Sequence, residues 1–203
     1  KLIELGCGNN PNPICQVHVD VRSSPGVDFT ADFNKPLPIQ SDEWDGVLSV
    51  YCIEHISWRN VLQFVQEMFR ILKPGGKVIV ITANTEAQLQ WIQHHQEGWD
   101  DKDFFESASC KLFGDNDYPE NTHRAFFSPA IVVDLFQKAG FGQVNILPYG
   151  ARATDMVIEA VKPIIKLTVD RPMKALVASG ADERGLRNLL PGAAPMEPKA
   201  HAF

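Results

Sequence analysis

Apolar and polar positions alternate in short blocks through the first half of the chain. The apolar blocks have strand length and end at turn residues, which predicts strands at 1–5, 16–21, 27–31, 44–50 and 77–82. Before the last of these, apolar residues recur at helical spacing and predict a helix over 57–72, which Pro74-Gly75-Gly76 ends. Strands that alternate with helices are typical of a mostly parallel sheet covered on both faces.

An insert at about 84–127 interrupts this alternation. A short amphipathic helix is predicted at 86–97, and 98–127 is predicted to be irregular because it is rich in aromatic and acidic residues. Loops of this length inside a domain are typically functional lids or disordered segments. Two interpretations stay open for its aromatic residues, a lid over a small ligand or the packing of an excursion from the core: Trp91, Trp99, Phe104, Phe105, Phe113, Tyr118, Phe126 and Phe127.

The sheet is predicted to end in an antiparallel hairpin, formed by strands at 143–147 and 153–161. A helix precedes this hairpin, because Ser128-Pro129 combines an N-cap with a proline at the first helical position and Gly140 is a typical stop. The pattern then decays, and the remaining predictions are a strand at 164–169, a weak helix at 173–190 and a flexible end at 191–203.

These elements predict an α/β fold, with a doubly wound, mostly parallel, Rossmann-like sheet and a C-terminal antiparallel hairpin. The domain is predicted to cover residues 1–162, and 163–203 is predicted to be a partly flexible extension. Ligands of such sheets bind beyond the carboxyl ends of the strands, so residues that follow the strands are the candidates for function.

Charge and composition narrow the classes of function. The 203 residues carry a formal net charge of −6, which disfavours non-specific binding to nucleic acids. No run approaches the roughly 18 apolar residues of a membrane-spanning helix. The cysteines form no C-x-x-C pair or zinc-type cluster, which predicts reduced thiols and a cytoplasmic location. His94 and His95 with Cys110 indicate no metal site, because adjacent side chains diverge on a helix.

A glycine-containing turn, Glu4-Leu5-Gly6-Cys7-Gly8, follows the first strand, where glycine lets the backbone turn sharply and approach a ligand closely. A dinucleotide site requires a third glycine and a helix N-terminus that holds the pyrophosphate. Here Pro11 occupies the third glycine position, and the segment before the second strand is too short for a crossover helix. These features disfavour a dinucleotide, whereas S-adenosylmethionine (SAM) has no phosphate to hold.

Acidic residues end the next two strands. The Asp20 carboxylate is placed to accept hydrogen bonds from both hydroxyls of a ribose, and Asp32 to accept one from an adenine amino group, with the apolar face of Phe33 beside it. Aspartate is also a common turn residue, so each position alone has a purely structural interpretation. Their succession after a glycine turn favours a nucleoside site.

Several segments, in this order, resemble the motifs of the class I SAM-dependent methyltransferases. The resemblance covers about 1–162 and is closest to a predicted methyltransferase subgroup with a shortened first crossover, in which an acidic loop like 114–118 precedes a histidine like His123. The segments are Glu4-Leu5-Gly6-Cys7-Gly8, Val19-Asp20-Val21, Asp32-Phe33, residues 44–55 with their Ile53-Glu54-His55 ending, Leu72-Lys73-Pro74-Gly75-Gly76 and Ala139-Gly140-Phe141.

The resemblance implies SAM as the cofactor and S-adenosylhomocysteine as its product. Gly6 and Gly8 would approach the amino-acid part of SAM, and the loop containing Asn10 would supply donors to its carboxylate. Asp20 would bind the ribose, and Asp32 with Phe33 would contact adenine. The complete set of implied cofactor residues is Glu4, Gly6, Cys7, Gly8, Asn10, Asp20, Val21, Asp32, Phe33, Val50 and Tyr51, the last two near the methionine end through their main chain.

Two histidines are candidates for catalysis. A general base is needed only where the acceptor carries a proton of high pKa, because the sulfonium is already activated. His55 follows the fourth strand, and His123 lies in the insert, so either is a candidate for this base. A capping or solvent-facing role is the alternative for each, and Glu54 is a candidate for orienting a neighbour.

The acceptor is predicted to be a hydroxyl or an amine of a small-molecule or glycan-type compound. The Asp/Asn-Pro-Pro-Tyr/Phe element of DNA amino-methyltransferases is absent from 50–53. Methylation of protein or RNA is disfavoured by the negative charge. The main alternative is a binding or scaffold subunit with a methyltransferase-like fold and no turnover, and the oligomeric state is not predicted.

Overall fold

The computed structural model describes residues 1–94, 102–150 and 152–164. The predicted weak helix at 173–190 and flexible end at 191–203 lie outside these residues, as does nearly all of the strand predicted at 164–169. The proposed boundary between domain and extension, at residue 162, therefore stays a prediction.

A mixed sheet of seven strands forms the centre of the described part of the chain, in the order β3-β2-β1-β4-β5-β7-β6. The first five strands are parallel, whereas β7 pairs antiparallel with both β5 and β6. This confirms the predicted doubly wound α/β fold with a final hairpin. The strands are β1 Leu2–Leu5, β2 Val17–Asp20, β3 Phe29–Thr30, β4 Trp44–Val50, β5 Leu72–Ala83, β6 Val144–Tyr149 and β7 Asp155–Val161.

The strand order reverses between β1 and β4. From β1 the chain moves outward to β2 and β3, and then returns to place β4 on the other side of β1. The loops that leave β1 and β4 therefore diverge at the carboxyl edge and leave a crevice, where ligands of open α/β sheets bind. Central strands bury apolar residues such as Ile3, Val47 and Val80, so this edge rests on a packed core.

Two helices carry apolar stripes that join the core. Helix α1, Val61–Ile71, buries Val61, Val65 and Met68 at spacings of three and four residues. Helix α4, Pro129–Ala139, begins where the Ser128 side chain accepts a hydrogen bond from the Ile131 N–H. It ends at Gly140, whose φ of 107° is left-handed, as its sequence predicts.

The fifth strand begins earlier than predicted. Helix α1 ends at Ile71, and Leu72 already pairs with Trp44, so strand β5 starts before the proline and glycines that were predicted to separate the two elements. The next regular pair is Gly46 with Lys77, so residues 73–76 bulge from the ladder. Gly75 takes a φ of +83°, which lets the strand contain this bulge.

The prediction that 98–127 is irregular was wrong for part of this segment. Residues Lys102–Phe113 form helix α3, which packs on helix α2, Thr85–Gln93. Its apolar stripe is narrow, with Phe104 and Ala108 buried against Ile92 of α2. The flanking acidic and exposed residues hide this stripe in the composition, although the spacing of four residues is helical. None of the helices in the described residues has the length and apolar character needed to cross a membrane.

Candidate functional site

A cavity of about 290 Å³ lies in the crevice beyond the carboxyl ends of β1, β2 and β4. It brings together most of the predicted cofactor residues and one of the two predicted catalytic histidines. The predicted residues that line it are Gly6, Gly8, Asp20, Val21, Asp32, Phe33, Tyr51 and His55.

A second cavity, of about 350 Å³, adjoins the first at Gly6, which lines both. It is lined by the remaining predicted cofactor residues, which are Glu4, Cys7, Asn10 and Val50. The glycine turn thus separates two concave surfaces, one toward the ends of β2 and β3 and the other toward the short crossover.

The two glycines of this turn, Gly6 and Gly8, have different surroundings. Gly6 has a φ of +83°, and a Cβ atom at this position would lie 2.4 Å from Sγ of the buried Cys52. Gly8 has a φ of +57°, but a Cβ atom there would meet nothing within 4 Å, because its free face opens into the cavity. Gly6 therefore lets the turn pack against the end of β4, and Gly8 leaves space for a ligand.

Asp20 is tied to the glycine turn. Its Oδ2 accepts a hydrogen bond from the Gly8 N–H at 2.8 Å, and its Oδ1 accepts one from the Arg22 N–H at 3.0 Å. Each carboxylate oxygen has two acceptor sites, so both oxygens keep one that is not used by these bonds. Asp20 is thus a held, nearly buried acceptor at the wall of the cavity.

The first crossover is closed by side chains, with no helix at 6–16. The buried Glu4 carboxylate accepts a hydrogen bond from the Asn12 N–H at 2.7 Å, and the Asn12 carbonyl lies 3.0 Å from Nε2 of His18. The missing helix confirms that no helix N-terminus is available here for a pyrophosphate. Burial raises the pKa of Cys7 to about 11, so this thiol is protonated at neutral pH.

Asp32 and Phe33 lie at the other end of the first cavity. The Asn34 N–H donates to Asp32 Oδ1 at 3.0 Å, Lys35 forms an ion pair at 3.0 Å, and both lower the pKa of the Asp32 carboxyl. Phe33 is buried, and its ring centroid is 5.1 Å from that of Phe64 on α1. Phe33 therefore contributes to the core as well as to the cavity wall.

Tyr51 turns the chain at the end of β4. Its φ of 47° is unusual for a residue with a side chain, and such strain concentrates at functional sites. The Tyr51 N–H bonds to the Ile81 carbonyl at 2.8 Å, and its hydroxyl donates to Asp155 Oδ2 at 3.1 Å. Burial and the neighbouring Asp155 carboxylate raise the pKa of this phenol, so it stays protonated.

The predicted catalytic histidines, distant in sequence, are neighbours in the structure. The ring centroids of His55 and His123 are 5.0 Å apart, and Nδ1 of His55 lies 3.2 Å from the Thr122 carbonyl. Hydrogen bonds from the N–H groups of Arg124 and Ala125 to the Glu54 carbonyl hold the two segments together. His55 lines the first cavity, whereas His123 lines neither cavity and lies beside it.

Glu54 lies beneath this pair and is almost completely buried. Its carboxylate accepts a hydrogen bond from the Thr82 hydroxyl at 2.9 Å. Burial raises the pKa of Glu54 to about 7. Burial also lowers the pKa of His55 and of His123, so both imidazoles are neutral at neutral pH.

Sequence reasoning missed several residues that cover the first cavity. The Arg22 guanidinium lies 3.5 Å from the ring centroid of Tyr118, and these two side chains join the end of β2 to the acidic loop. The acidic loop was singled out by its motif, but nothing in the sequence connected it with Arg22. Tyr118, one of the aromatic residues for which a lid was one of two open interpretations, lines this cavity. The missed lining residues are Arg22, Asn34, Cys52, Ile56, Glu120, Asn121 and Arg124.

The known proteins that this chain resembles are methyltransferases. A family model described as a methyltransferase domain matches residues 1–145. Demethylmenaquinone methyltransferase from Lactococcus lactis subsp. lactis (strain IL1403) is 23% identical over 166 residues, which are 80% of this chain and 65% of the relative. The enzyme of the same name from Anoxybacillus flavithermus (strain DSM 21510 / WK1) is 24% identical over 114 residues, covering 56% and 47%. The chain thus spans less than two thirds of the length of these relatives.

Solved structures show the same fold. An S-adenosylmethionine-dependent methyltransferase from Mesorhizobium loti matches 79% of this chain and 90% of its own length, with a TM-score of 0.56 and 12% identity. At this identity the likeness establishes the fold alone. Because the family model covers well over half of the chain and the fold agrees, the chain belongs to the class I SAM-dependent methyltransferases, a family of enzymes.

Proposed function

We propose that this chain binds SAM at the glycine turn and transfers its methyl group to a small-molecule or glycan-type acceptor held beside His55. The observation that carries the proposal is the bond between the Gly8 N–H and Asp20, which aligns an open glycine face and a held carboxylate on one cavity. A methyltransferase domain model that spans the same residues supports it.

The residues present fit SAM. Asp20 keeps acceptor sites for two ribose hydroxyls, and the side of the cavity near Asp32 and Phe33 offers an acceptor and an apolar surface to adenine. The second cavity, with Asn10 and the main chain near Val50, is open to the amino-acid end. When bound, SAM supplies an activated methyl group on a sulfonium.

The acceptor would occupy the part of the cavity between His55 and the acidic loop. For a hydroxyl or ammonium acceptor, the neutral His55 imidazole is placed to accept the proton that is lost, and the His123 ring packs beside it as the second candidate base. Tyr118 and Arg22 cover the cavity and would exclude water from the transfer. The chain then acts mainly by positioning, since the sulfonium is already reactive.

A turnover assay tests the acceptor class. The chain is incubated with SAM and with hydroxyl, amine and sugar acceptors, and S-adenosylhomocysteine and methylated products are measured by mass spectrometry. Demethylmenaquinone is included, because two curated relatives are named for it. We expect His55→Gln to lower kcat at least tenfold, with His94→Gln, an exposed histidine outside both cavities, as the matched control. Bound SAM without any product would favour a scaffold subunit over an enzyme.

A cytoplasmic reaction is part of the proposal. All four cysteines, Cys7, Cys15, Cys52 and Cys110, are free thiols, which fits a reducing compartment. Fractionation of cells that produce the chain, followed by thiol labelling, tests this location. Recovery of the chain with membranes or with oxidised thiols would contradict it.

A further inference from the structure

Three potential metal ligands converge beside the first cavity. Glu54, His55 and His123 each offer one ligand atom, and these atoms all lie within 4.8 Å of one another. The turn after β4 supplies the first two, and the segment that bonds to the Glu54 carbonyl supplies the third. Backbone hydrogen bonds between the two segments therefore fix the cluster in the fold.

The ring of His55 is held by a backbone carbonyl, as the ring of a metal-binding histidine is. A carbonyl oxygen can only accept a hydrogen bond, so Nδ1 of His55 must carry the hydrogen that faces the Thr122 carbonyl. Its Nε2 then has a free lone pair. The His123 ring lies near the backbone of Lys111 and Leu112. Backbone carbonyls hold metal-binding histidines in this way, and the other nitrogen then binds the metal.

The carboxylate of the cluster lacks a positive partner. Glu54 is 1% exposed and accepts a hydrogen bond from the Thr82 hydroxyl. Across residues 1–94, 102–150 and 152–164, no lysine or arginine forms a salt bridge with it. A buried carboxylate is normally paired with a cation, bound to a metal or protonated. A cation beside the two histidines would stabilise the ionised form of Glu54.

We propose that Glu54, His55 and His123 bind a divalent transition-metal ion of the zinc type. Two imidazoles and one carboxylate are a common ligand set for catalytic zinc, and they leave a fourth position open. Ligand atoms that lie about 2.0–2.2 Å from one ion are about 3–4 Å from one another. The ligand atoms of this cluster, which lie within 4.8 Å of one another, would therefore have to move by about 1 Å to bind the ion. Because His55 lines the first cavity, an ion bound to it would lie beside the space proposed for the acceptor.

An ion in this position would bind an oxygen atom of the acceptor. It would polarise that oxygen and lower the pKa of a bound hydroxyl, so that the proton leaves to solvent while the acceptor binds, before the cavity is closed. With the ion bound, His55 would act as a ligand, and the role of base proposed above would apply only to the metal-free chain. This role at the acceptor rests on the proposed methyl transfer, whereas the binding of the ion does not.

Titration of the metal-stripped full chain with Zn²⁺ in a calorimeter tests the site. We expect one bound ion per chain, with affinity reduced at least tenfold in Glu54→Gln, His55→Gln and His123→Gln. The matched control, His94→Gln, changes an exposed histidine outside the cluster and is expected to bind as the wild type does. Asp20→Ala is also expected to keep Zn²⁺ binding, so failure of the metal site and failure of the SAM site are distinguishable.

The visible spectrum of the Co²⁺-loaded wild-type chain shows, without any substitution, whether cysteine sulfur is among the ligands. Nitrogen and oxygen ligands give d–d bands without the sulfur-to-metal charge-transfer absorption that cysteine ligands add. We expect the d–d bands alone. Absence of Zn²⁺ binding, equal affinity in the three variants and the wild type, or a charge-transfer band would each overturn the proposal.

Discussion

Gly6→Ala is expected to destabilise the fold strongly, because the added methyl group would clash with Cys52 and the residue would keep a positive φ. The new Cβ would lie 2.4 Å from Sγ and 2.5 Å from Cβ of the buried Cys52, and this Cβ is attached to the backbone and cannot move without it. Overpacking of a core costs about 1–3 kcal/mol. The φ of +83° adds the cost of a left-handed residue, about 1–2 kcal/mol. We therefore expect a loss of about 2–5 kcal/mol in the free energy of unfolding.

Gly8→Ala is the matched control for this substitution. Its φ is +57°, but its Cβ would meet no atom within 4 Å, so only the backbone cost of about 1–2 kcal/mol applies. Urea denaturation followed by circular dichroism measures both variants. Equal destabilisation of the two variants, or a loss below about 1 kcal/mol for Gly6→Ala, would refute the steric argument. The methyl group that Gly8→Ala adds would occupy the cavity, so the affinity for SAM is expected to fall in that variant.

Further predictions concern the support of the site. The hydrogen bond from Arg70 lowers the pKa of Glu67 below its usual 4.5, so its stabilisation is fully present above pH 4.5 and is lost as the pH falls through the folded-state pKa. Glu67→Gln is expected to cost about 1–3 kcal/mol at pH 7 and to flatten the acid limb of a stability–pH curve; an unchanged acid limb would argue against this role. Ser128→Ala removes the N-cap of α4 and is expected to cost about 1 kcal/mol in urea denaturation, whereas Ser128→Asp is expected to keep the stability; equal losses in both variants would contradict the capping role.

Local features of the sequence predicted the fold and a group of residues that line the two cavities. Gly6 and Asp20 carry information about their own positions, because a turn that requires positive φ and a strand that ends in a carboxylate are both local features. The parallel strand order then brings these local features to one edge of the sheet. The predicted cofactor residues consequently line two cavities that meet at Gly6.

Contacts between distant segments were not predictable in the same way. His55 and His123 were separate candidates for one role. Their contact depends on hydrogen bonds between distant segments, such as that of His55 Nδ1 with the Thr122 carbonyl, 67 residues away. The stacking of Arg22 on Tyr118 likewise joins two loops with no shared pattern. Helix α3 was missed because its apolar stripe is short and lies among acidic residues, so composition outweighed spacing.

Calorimetric titration with SAM, S-adenosylhomocysteine and NAD tests the assignment of the cofactor cavity most directly. Wild type is compared with Asp20→Ala and with Asp134→Ala, a matched exposed aspartate that pairs with Lys138 on α4. We expect micromolar binding of SAM and S-adenosylhomocysteine, no binding of NAD, and a loss of about 10–100-fold in affinity for Asp20→Ala alone, as removal of charged hydrogen bonds predicts. Absence of binding by both SAM species, or equal affinity in the wild type and Asp20→Ala, would contradict the assignment.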